Sequence, residues 1–256
     1  MTQTERLHFL LDYLLRESDY GAEIQIPKEI PAQKRLLRAL MNLRTPGAVS
    51  EAFIKVQDIY LQTETSAKGI TDADSLVPIR DRLCLWQGDI TTLKCGAIVN
   101  AANSALLGCF VPCHGCIDNA IHTYAGVRLR AECADIMDKQ GFHEPPGKAK
   151  MTRAYNLPCS YVIHTVGPIV QGALTEENCA LLKSCYVECL KKAEKYAISS
   201  IAFCCISTGE FHFPNERAAE IAVDTVTEYL NHSMIEKVIF NVFKDTDKEI
   251  YTNLLR

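Results

Sequence analysis

The stretch AIVNAANSALLGCFVPCHGCID, residues 97–118, joins a short apolar run, an asparagine-containing turn and a cysteine-rich loop. The loop sets Cys109, Cys113, His114 and Cys116 within eight residues, directly before an apolar run with helical spacing. Zinc favours thiolate and imidazole ligands that lie close in the chain, because a tight loop offers several donors to one centre at little closure cost. This loop is therefore the first candidate for a site of chemistry.

Spacing alone leaves three interpretations of the loop open. Cys109, His114 and Cys116 are a plausible ligand set, and three protein ligands leave a fourth position for water or substrate, as in catalytic zinc sites. With Cys113 as a fourth ligand, the loop would instead close a structural zinc site. Cys113 and Cys116 also form a CxxC pair, which can be redox-active or simply two close thiols.

Composition places the chain among ordinary globular proteins. It has 256 residues, of which 48% are hydrophobic and 23% charged, and no apolar run approaches the roughly 20 residues of a membrane span. The first residues lack the basic region, apolar core and cleavage site of a secretory signal, so we expect a cytoplasmic protein. A net charge of −4 argues against nucleic-acid binding. The twelve cysteines follow no regular framework, and we expect most to be buried reduced thiols.

The first seventy residues predict three amphipathic helices. Leucine recurs at helical spacing in ERLHFLLDYLLRE and in AQKRLLRALMNLR, and SEAFIKVQDIYLQTET begins with Ser50, a good N-cap residue. We therefore assign residues 1–72 to an N-terminal helical extension. It either packs on the following domain or docks a partner, and periodicity does not separate the two.

From residue 83 onward, short apolar runs alternate with longer helical patterns. The predicted strands are LCLWQ, AIVNAA, AKMTRAY, YVIHTVG, SIAFCCIS and KVIFNVF. The predicted helices are IDNAIHTYAGVRLRAECADIM, TEENCALLKSCYVECLKKAEKYA, PNERAAEIAVDTVTEYLNH and a short one from Asp247. This alternation predicts an α/β domain over residues 73–256, with helices on both faces of a sheet.

Four polar loops follow predicted strands: GDIT, NAANSALLG, TVGP and STGEFHFPNE. They concentrate glycine, asparagine, serine and threonine, which present backbone N–H groups and short polar side chains to a ligand. Ligands in such sheets bind beyond the carboxyl ends of the strands. Pro214 lies near the first turn of the helix after the last loop, so the positive helix end would face STG, a candidate phosphate cradle.

Taken in order, GDIT, VNAAN, an Asp followed by AIH, YVIHTVGP and STGEFHFP resemble the motifs of a macrodomain. The resemblance covers residue 83 to the C-terminus and implies a three-layer α/β/α fold with a mixed central sheet and an ADP-ribose cleft. Most hydrolytic macrodomains have a glycine-rich loop before that Asp. GCFVPCHGC instead resembles the zinc-containing bacterial class, which is often linked to a sirtuin-type ADP-ribosyltransferase and carries an N-terminal helical extension. His212 departs from the glycine that many relatives have in the phosphate loop.

The resemblance implies one Zn²⁺ per chain on Cys109, His114 and Cys116, with Cys113 at a variable position. Asp118 would orient or deprotonate the attacking water, and capping of the following helix would fix its carboxylate. Asn103, on the distal ribose, is the second expected catalytic residue. The expected ADP-ribose-binding residues are Asp89, Ile90, Asn103, Cys116, Ile117, Asp118, Ser207, Thr208, Gly209, Glu210 and Phe211.

Several of these residues also have simpler interpretations. Asp89 would accept a hydrogen bond from the adenine amino group, but it can equally be a turn residue after Gly88. Glu210 beside phosphate would be repulsive, so we expect its carboxylate to point outward. His122 and His164 are expected to be packed residues, and Asn100 to hold its loop.

The leading hypothesis is a zinc-dependent hydrolase that removes a single ADP-ribose from a modified protein side chain, at a glycosidic or ester bond, and so reverses sirtuin-type ADP-ribosylation. One alternative is a non-catalytic ADP-ribose-binding module, and another is a deacetylase of O-acetyl-ADP-ribose that uses the same pocket. By resemblance only, a lipoyl carrier like the H protein of glycine cleavage is a candidate substrate. No membrane partner is expected.

Overall fold

A mixed six-stranded sheet lies at the centre of the structure, a computed structural model that describes residues 1–18 and 21–256. The strands are β1 (Thr71–Asp72), β2 (Leu83–Gln87), β3 (Leu93–Lys94), β4 (Ala97–Ala102), β5 (Ala149–Arg153), β6 (Tyr161–Val166), β7 (Ser200–Phe203) and β8 (Lys237–Val242). The sheet order is β2-β8-β7-β4-β6-β5, and only the β5–β6 pair is antiparallel. All six predicted strands are confirmed, whereas the short parallel pair β1–β3 was not predicted.

The parallel strands explain both the apolar runs and the position of the loops. β4 and β6 pair in parallel along their whole length, and nearly all of their residues are buried. A strand covered on both faces reads as a continuous apolar run rather than an alternating one. Because β2, β4, β6, β7 and β8 run in the same direction, the polar loops that follow them meet at one edge of the sheet.

Two groups of helices flank the sheet, and a third group forms the extension. The helices are α1 (Gln3–Glu17), α2 (Ile30–Leu43), α3 (Glu51–Lys68), α4 (Ile117–Ala125), α5 (Val127–Gln140), α6 (Glu176–Lys195), α7 (Asn215–Leu230) and α8 (Asp245–Leu255). α6 contacts α7, and α7 contacts α8, while α4 and α5 pack on each other and on β4 and β5 respectively. The predicted α/β class with a mixed sheet is confirmed.

The single helix predicted for IDNAIHTYAGVRLRAECADIM is wrong, because the chain breaks it into α4 and α5 at Gly126. Gly126 has φ +90°, a conformation that residues with a Cβ rarely adopt. The N–H of Val127 then donates to Oε1 of Gln57 on α3, at 3.0 Å. A Cβ at position 126 would lie 2.6 Å from Nε2 of the same glutamine. The break therefore depends on a residue about seventy positions away, which local periodicity does not reveal.

The extension packs on the rest of the chain. α1 contacts both α2 and α3, and Ser50 caps α3 by accepting from the Phe53 N–H at 3.1 Å, as predicted. The three helices enclose their own apolar cluster, which Val127 of α5 joins: Leu7, Leu10, Leu11, Leu14, Leu15, Leu37, Leu40, Met41, Phe53, Tyr60, Leu61 and Val127. The domain boundary after residue 72 stays a prediction.

Two further expectations concern the whole chain. All twelve cysteines are free thiols, as expected, but only half of them are buried, so the expectation that most would be buried is wrong. In residues 1–18 and 21–256, no helix has both the length and the apolar character needed to cross a membrane.

Candidate active site

The loops that follow β2, β4, β6 and β7 form the walls of the candidate site. The loops after β6 and β7 approach each other closely at Gly167, where a Cβ would lie 2.0 Å from Oγ of Ser207. The N–H of Val170 also donates to the carbonyl oxygen of Phe211 at 2.9 Å. TVGP and STGEFHFP therefore form one connected wall, and only glycine fits at their contact.

The cysteine loop, residues 108–116, brings its three expected ligands together. The ligand atoms of Cys109, His114 and Cys116 all lie within 4.8 Å of one another, and Sγ of Cys109 lies 3.6 Å from Nδ1 of His114. Two sulfurs and one imidazole nitrogen at this spacing suit Zn²⁺ and leave a coordination position open. The thiol of Cys113 lies outside this cluster and donates to the carbonyl oxygen of Arg35 at 3.4 Å.

Asp118 lies in the first turn of α4 and is held by two amides. Its Oδ1 accepts from Nδ2 of Asn100 at 2.7 Å, and its Oδ2 accepts from Nδ2 of Asn103 at 3.3 Å. The expected capping role is wrong, because Cys116 is the N-cap and accepts from the Asn119 N–H. Burial raises the pKa of Asp118 to about 6, although the hydrogen bond from Asn100 opposes this. The carboxyl group is therefore ionised at neutral pH and poised to accept a proton.

A buried polar chain continues beneath Asp118. Nδ2 of Asn100 also donates to Nδ1 of His164 at 3.1 Å, and Nε2 of His164 lies 2.9 Å from Oγ1 of Thr152. This pattern assigns Nε2 as the protonated nitrogen of a neutral ring. Burial lowers the pKa of His164 to about 4, in agreement with a neutral ring. His164 is structural, as expected, and Asn100 supports the Asp118 carboxyl.

His122 is a packed residue, as expected. Its Nε2 lies 3.6 Å from Oδ1 of Asp118, and its ring packs on His164 with centroids 6.0 Å apart. Neither ring nitrogen has a hydrogen-bond partner among the described residues. Burial, reinforced by His164 and Arg130, lowers the pKa of His122 well below its usual value. The ring is therefore neutral and fills the space behind the carboxyl group.

Asp89 follows β2 and is a turn residue with an exposed charge. Its Oδ1 accepts from the N–H and hydroxyl of Thr91 at 3.0 and 2.6 Å, and its Oδ2 pairs with Nζ of Lys68 at 3.0 Å. Burial alone would raise the pKa of Asp89, but these hydrogen bonds outweigh it and lower the pKa. Lys68, at the end of α3, also lies 3.4 Å from the ring centroid of Tyr124. Nothing in the sequence pairs Lys68 with Asp89, and it was not predicted.

The loop after β7, which the sequence predicts to cradle phosphate, turns tightly at two positions. Ser207 has φ +65°, and His212 has φ +56°, a left-handed conformation that favours glycine over residues with a side chain. The His212 N–H donates to the carbonyl oxygen of Gly209 at 3.0 Å. Oγ of Ser207 is buried and has no hydrogen-bond partner within the described part of the chain. A buried hydroxyl group without a partner is uncommon, because leaving it unpaired costs free energy.

Glu210 points outward, as expected, and its side chain is 71% exposed. Its Oε1 lies 3.6 Å from Nε2 of His114. The loop after β7 and the cysteine loop thus approach each other at Glu210 and His114. Ile90, behind Asp89, is buried at the opposite end.

Comparison with known proteins agrees with this geometry. The Macro domain family model matches residues 99–222. A protein-ADP-ribose hydrolase from Treponema medium is 52% identical over 260 aligned residues, covering the whole of both chains. A probable bifunctional ADP-ribose hydrolase/ADP-ribosyltransferase from Fusarium oxysporum f. sp. cubense is 42% identical, over 89% of this chain and 42% of its own length.

A solved structure supports the assignment of the fold. The Trypanosoma brucei macrodomain in complex with ADP-ribose superposes with a TM-score of 0.66 at 28% identity, over 85% of this chain and 95% of that chain. The sheet is mixed, the cleft motifs occur in order, and a full-length relative is 52% identical. The chain therefore belongs to the macrodomain family.

Proposed function

We propose that the chain is a zinc-dependent protein mono-ADP-ribosyl hydrolase, which releases ADP-ribose from a modified side chain. The observation that carries this proposal is the Asp118 carboxyl group, which is oriented by two amides and follows directly after the Cys109, His114 and Cys116 cluster. A module that only bound ADP-ribose would require neither feature. The full-length relative named as a protein-ADP-ribose hydrolase supports the same reaction class.

ADP-ribose would extend from Asp89 to the cysteine loop. The ionised Asp89 carboxylate would accept from the adenine amino group, with the Ile90 backbone beside it. The diphosphate would lie between the loop of residues 207–211 and the first turn of α4, where the N–H groups of Ile117 and Asp118 have no intrahelical acceptor. The T. brucei macrodomain complex supports ADP-ribose as the ligand class.

The distal ribose would then meet Asn103 and the ring of Phe211, next to Asp118. The Asp118 carboxylate accepts a proton from water as its oxygen attacks, and the protein side chain leaves with a proton, so that hydrolysis yields ADP-ribose and an unmodified acceptor. A zinc ion on Cys109, His114 and Cys116 would polarise the scissile group and lower the pKa of bound water toward about 7.

The natural partners belong to the same proposal. Hydrolysis of this kind reverses a transferase, and the fungal relative named for both activities supports a link to an ADP-ribosyltransferase. A sirtuin-type enzyme as that transferase, and a lipoyl carrier like the H protein of glycine cleavage as the modified protein, rest on the resemblance of the motifs. We propose the cytoplasm as the location.

The test is release of free ADP-ribose from a mono-ADP-ribosylated protein by zinc-loaded and by chelated enzyme. We expect release only with zinc, and a loss of about 100-fold or more in kcat for Asp118→Asn while ADP-ribose binding persists. Asp135→Asn, at an exposed position of α5, is the matched control and should retain full activity.

Two outcomes would contradict the proposal. Stoichiometric binding without release, with zinc present, would indicate an ADP-ribose-binding module. Faster release of acetate from O-acetyl-ADP-ribose than of ADP-ribose from protein would indicate the deacetylase.

A further inference from the structure

Helix α2 of the extension contacts the cysteine loop through Arg38. Its Nη2 donates to the carbonyl oxygen of His114 at 2.9 Å. Nε and Nη2 also donate to Oδ1 of Asn119, at 3.1 and 2.7 Å. Nδ2 of Asn119 in turn donates to the carbonyl oxygen of Val111 at 3.0 Å. The Arg38 guanidinium group therefore holds the backbone of His114, a proposed ligand, directly. It also holds the loop at Val111, through the side-chain amide of Asn119.

Asn42, near the end of α2, holds the same loop at another point. Its Oδ1 accepts from the Cys113 N–H at 2.9 Å, and its Nδ2 donates to Oγ1 of Thr123 on α4 at 2.9 Å. The side chain is buried, so both bonds are shielded from water. Cys113 has φ +55°, which is unfavourable for a residue with a side chain. The bond from Asn42 offsets part of this strain and fixes the turn that leads into His114.

The contact is anchored from the other side by Arg130 of α5. Its Nε donates to the carbonyl oxygen of Leu107, one residue before the cysteine loop, at 2.7 Å. Its Nη1 donates to the carbonyl oxygens of Met41 and Asn42 at 3.1 and 2.9 Å, and to that of Arg44. These carbonyls belong to the end of α2, where no further helical N–H is available. The end of α2 and the start of the loop thus share one cation.

The loop itself has little internal structure to hold its shape. It contains no helix or strand. The single backbone hydrogen bond with both ends in residues 108–116 runs from the His114 N–H to the Val111 carbonyl oxygen, at 3.2 Å. Ordering an unsupported residue costs conformational entropy, so a free loop would bring three ligands together at a large entropic cost. Partners outside the ligand set commonly lower this cost by orienting the ligands in advance.

We propose that Arg38 and Asn42 are positioning residues of the metal site, so that helix α2 holds the cysteine loop in the conformation that binds the ion. The inference rests on the proposed zinc site and deepens it. Neither side chain is a ligand. They act through the backbone of His114 and Cys113 and through Asn119.

The experiment measures zinc affinity of the full-length protein by competition with a chelator. For Arg38→Met and Asn42→Ala we expect binding about 10–100-fold weaker than in the wild type. Arg38→Lys keeps the charge but loses the planar set of guanidinium donors, so its zinc affinity should lie between those of Arg38→Met and the wild type. Affinity for ADP, which lacks the distal ribose, should change by less than about twofold.

Arg44→Met is the matched control, because it removes an arginine from the same segment. The Arg44 side chain bonds Glu17 and the carbonyls of residues 45, 47 and 48, all within the extension. This variant should lose stability but retain zinc affinity. Amide hydrogen exchange of the loop peptide in metal-free protein supplies a second readout, and it should accelerate in Asn42→Ala but not in Arg44→Met.

The outcomes separate this inference from the proposed function. A wild-type protein that binds no zinc would overturn the proposed function itself. A wild-type protein that binds zinc, with unchanged affinity in Arg38→Met and Asn42→Ala, would overturn only the positioning role. Equal zinc loss in Arg44→Met would also overturn it, since general destabilisation of the extension would then suffice.

Discussion

Cys113 lies among the proposed ligands, yet its thiol faces α2 and donates to the Arg35 carbonyl. We therefore expect Cys113→Ala to retain about one zinc per chain and its activity, whereas Cys109→Ala and His114→Ala lose both. Elemental analysis of the purified variants and an ADP-ribose release assay measure the two properties. Loss of zinc in Cys113→Ala would instead indicate a closed four-ligand site.

His164 makes the fold sensitive to acid. Burial lowers its pKa to about 4, whereas the ordinary histidine value is 6.5. Between these values the unfolded chain binds more protons, so stability is complete above pH 6.5 and is lost as the pH falls toward 4. From pH 7 to pH 5, His164 alone should lower the free energy of unfolding by about 2 kcal/mol.

Urea unfolding at the two pH values, in the wild type and in His164→Asn, isolates this contribution. His122 acts in the same direction, because burial also lowers its pKa, and Asp118 acts in the opposite direction, because its pKa is raised. Both groups remain in the variant. We expect His164→Asn to be less stable than the wild type at pH 7. Between pH 7 and pH 5, however, its free energy of unfolding should fall by about 2 kcal/mol less than that of the wild type. An equal fall in the free energy of unfolding of the two proteins, from pH 7 to pH 5, would contradict the assignment of this effect to His164.

The proposed ligands could be found from the sequence because they are local. Cys109, His114 and Cys116 lie within eight residues, so their spacing predicts that they can converge. It does not separate them from Cys113, and only the resemblance to the zinc-containing class made that choice. The pairs Lys68 with Asp89, and Arg38 with His114, are 21 and 76 positions apart. Their side chains carry no pattern that distinguishes them from solvated lysines and arginines of a helix, and only the packing of the extension brings them to the site.

Helices α4 and α5 meet at Gly126, and this junction can be tested by adding one methyl group. Gly126→Ala places a Cβ at φ +90° and 2.6 Å from Nε2 of Gln57. Gly141, at the end of α5, has φ +75° but no atom within 4 Å of its Cβ position. Gly141→Ala therefore carries backbone strain alone, about 1–2 kcal/mol.

We expect Gly126→Ala to lose at least about 1 kcal/mol more than Gly141→Ala, because it also disturbs the hydrogen bond from Val127 to Gln57 and because φ +90° with ψ 175° is a conformation essentially restricted to glycine. Urea unfolding of both variants measures the difference. Equal losses would mean that Gln57 moves without cost and that α3 does not determine where the helix breaks.

The same junction marks the limit of prediction for whole elements. Strands β4, β6, β7 and β8 could be predicted because burial on both faces makes each one a short apolar run. The residues around Gly126 keep helical periodicity on both sides, so periodicity predicts one helix. The structure has two because Gly126 adopts φ +90°, and Gln57, from another part of the chain, accepts the hydrogen bond of the Val127 N–H beyond the break.

At the scale of the whole molecule, the extension and the sheet domain share buried polar bonds as well as an apolar contact. The buried partners include Gln57 with Val127, Asn42 with Thr123, and Arg130 with the end of α2. Leaving such groups unpaired is costly, so separation of the two parts is disfavoured until both unfold. We expect one cooperative transition.

Two probes test this expectation. Trp86, the only tryptophan, lies on β2, so its fluorescence reports the sheet. Far-ultraviolet circular dichroism reports the helices, including α1, α2 and α3. The two unfolding midpoints in urea should coincide, whereas an earlier loss of helix signal would show that the extension unfolds on its own.

The hydrogen bonds between α2 and the cysteine loop also limit how parts of related proteins can be exchanged. Consider a chimaera that takes residues 108–119 from a relative but keeps the native residues 30–44. In it, the carbonyl groups of the relative's loop would face the donor side chains of this chain's α2. The two segments are distant in sequence but are joined by direct hydrogen bonds from Arg38 and Asn42. Transplanting the proposed metal-binding loop into another macrodomain should succeed only when residues 30–44 are transplanted with it.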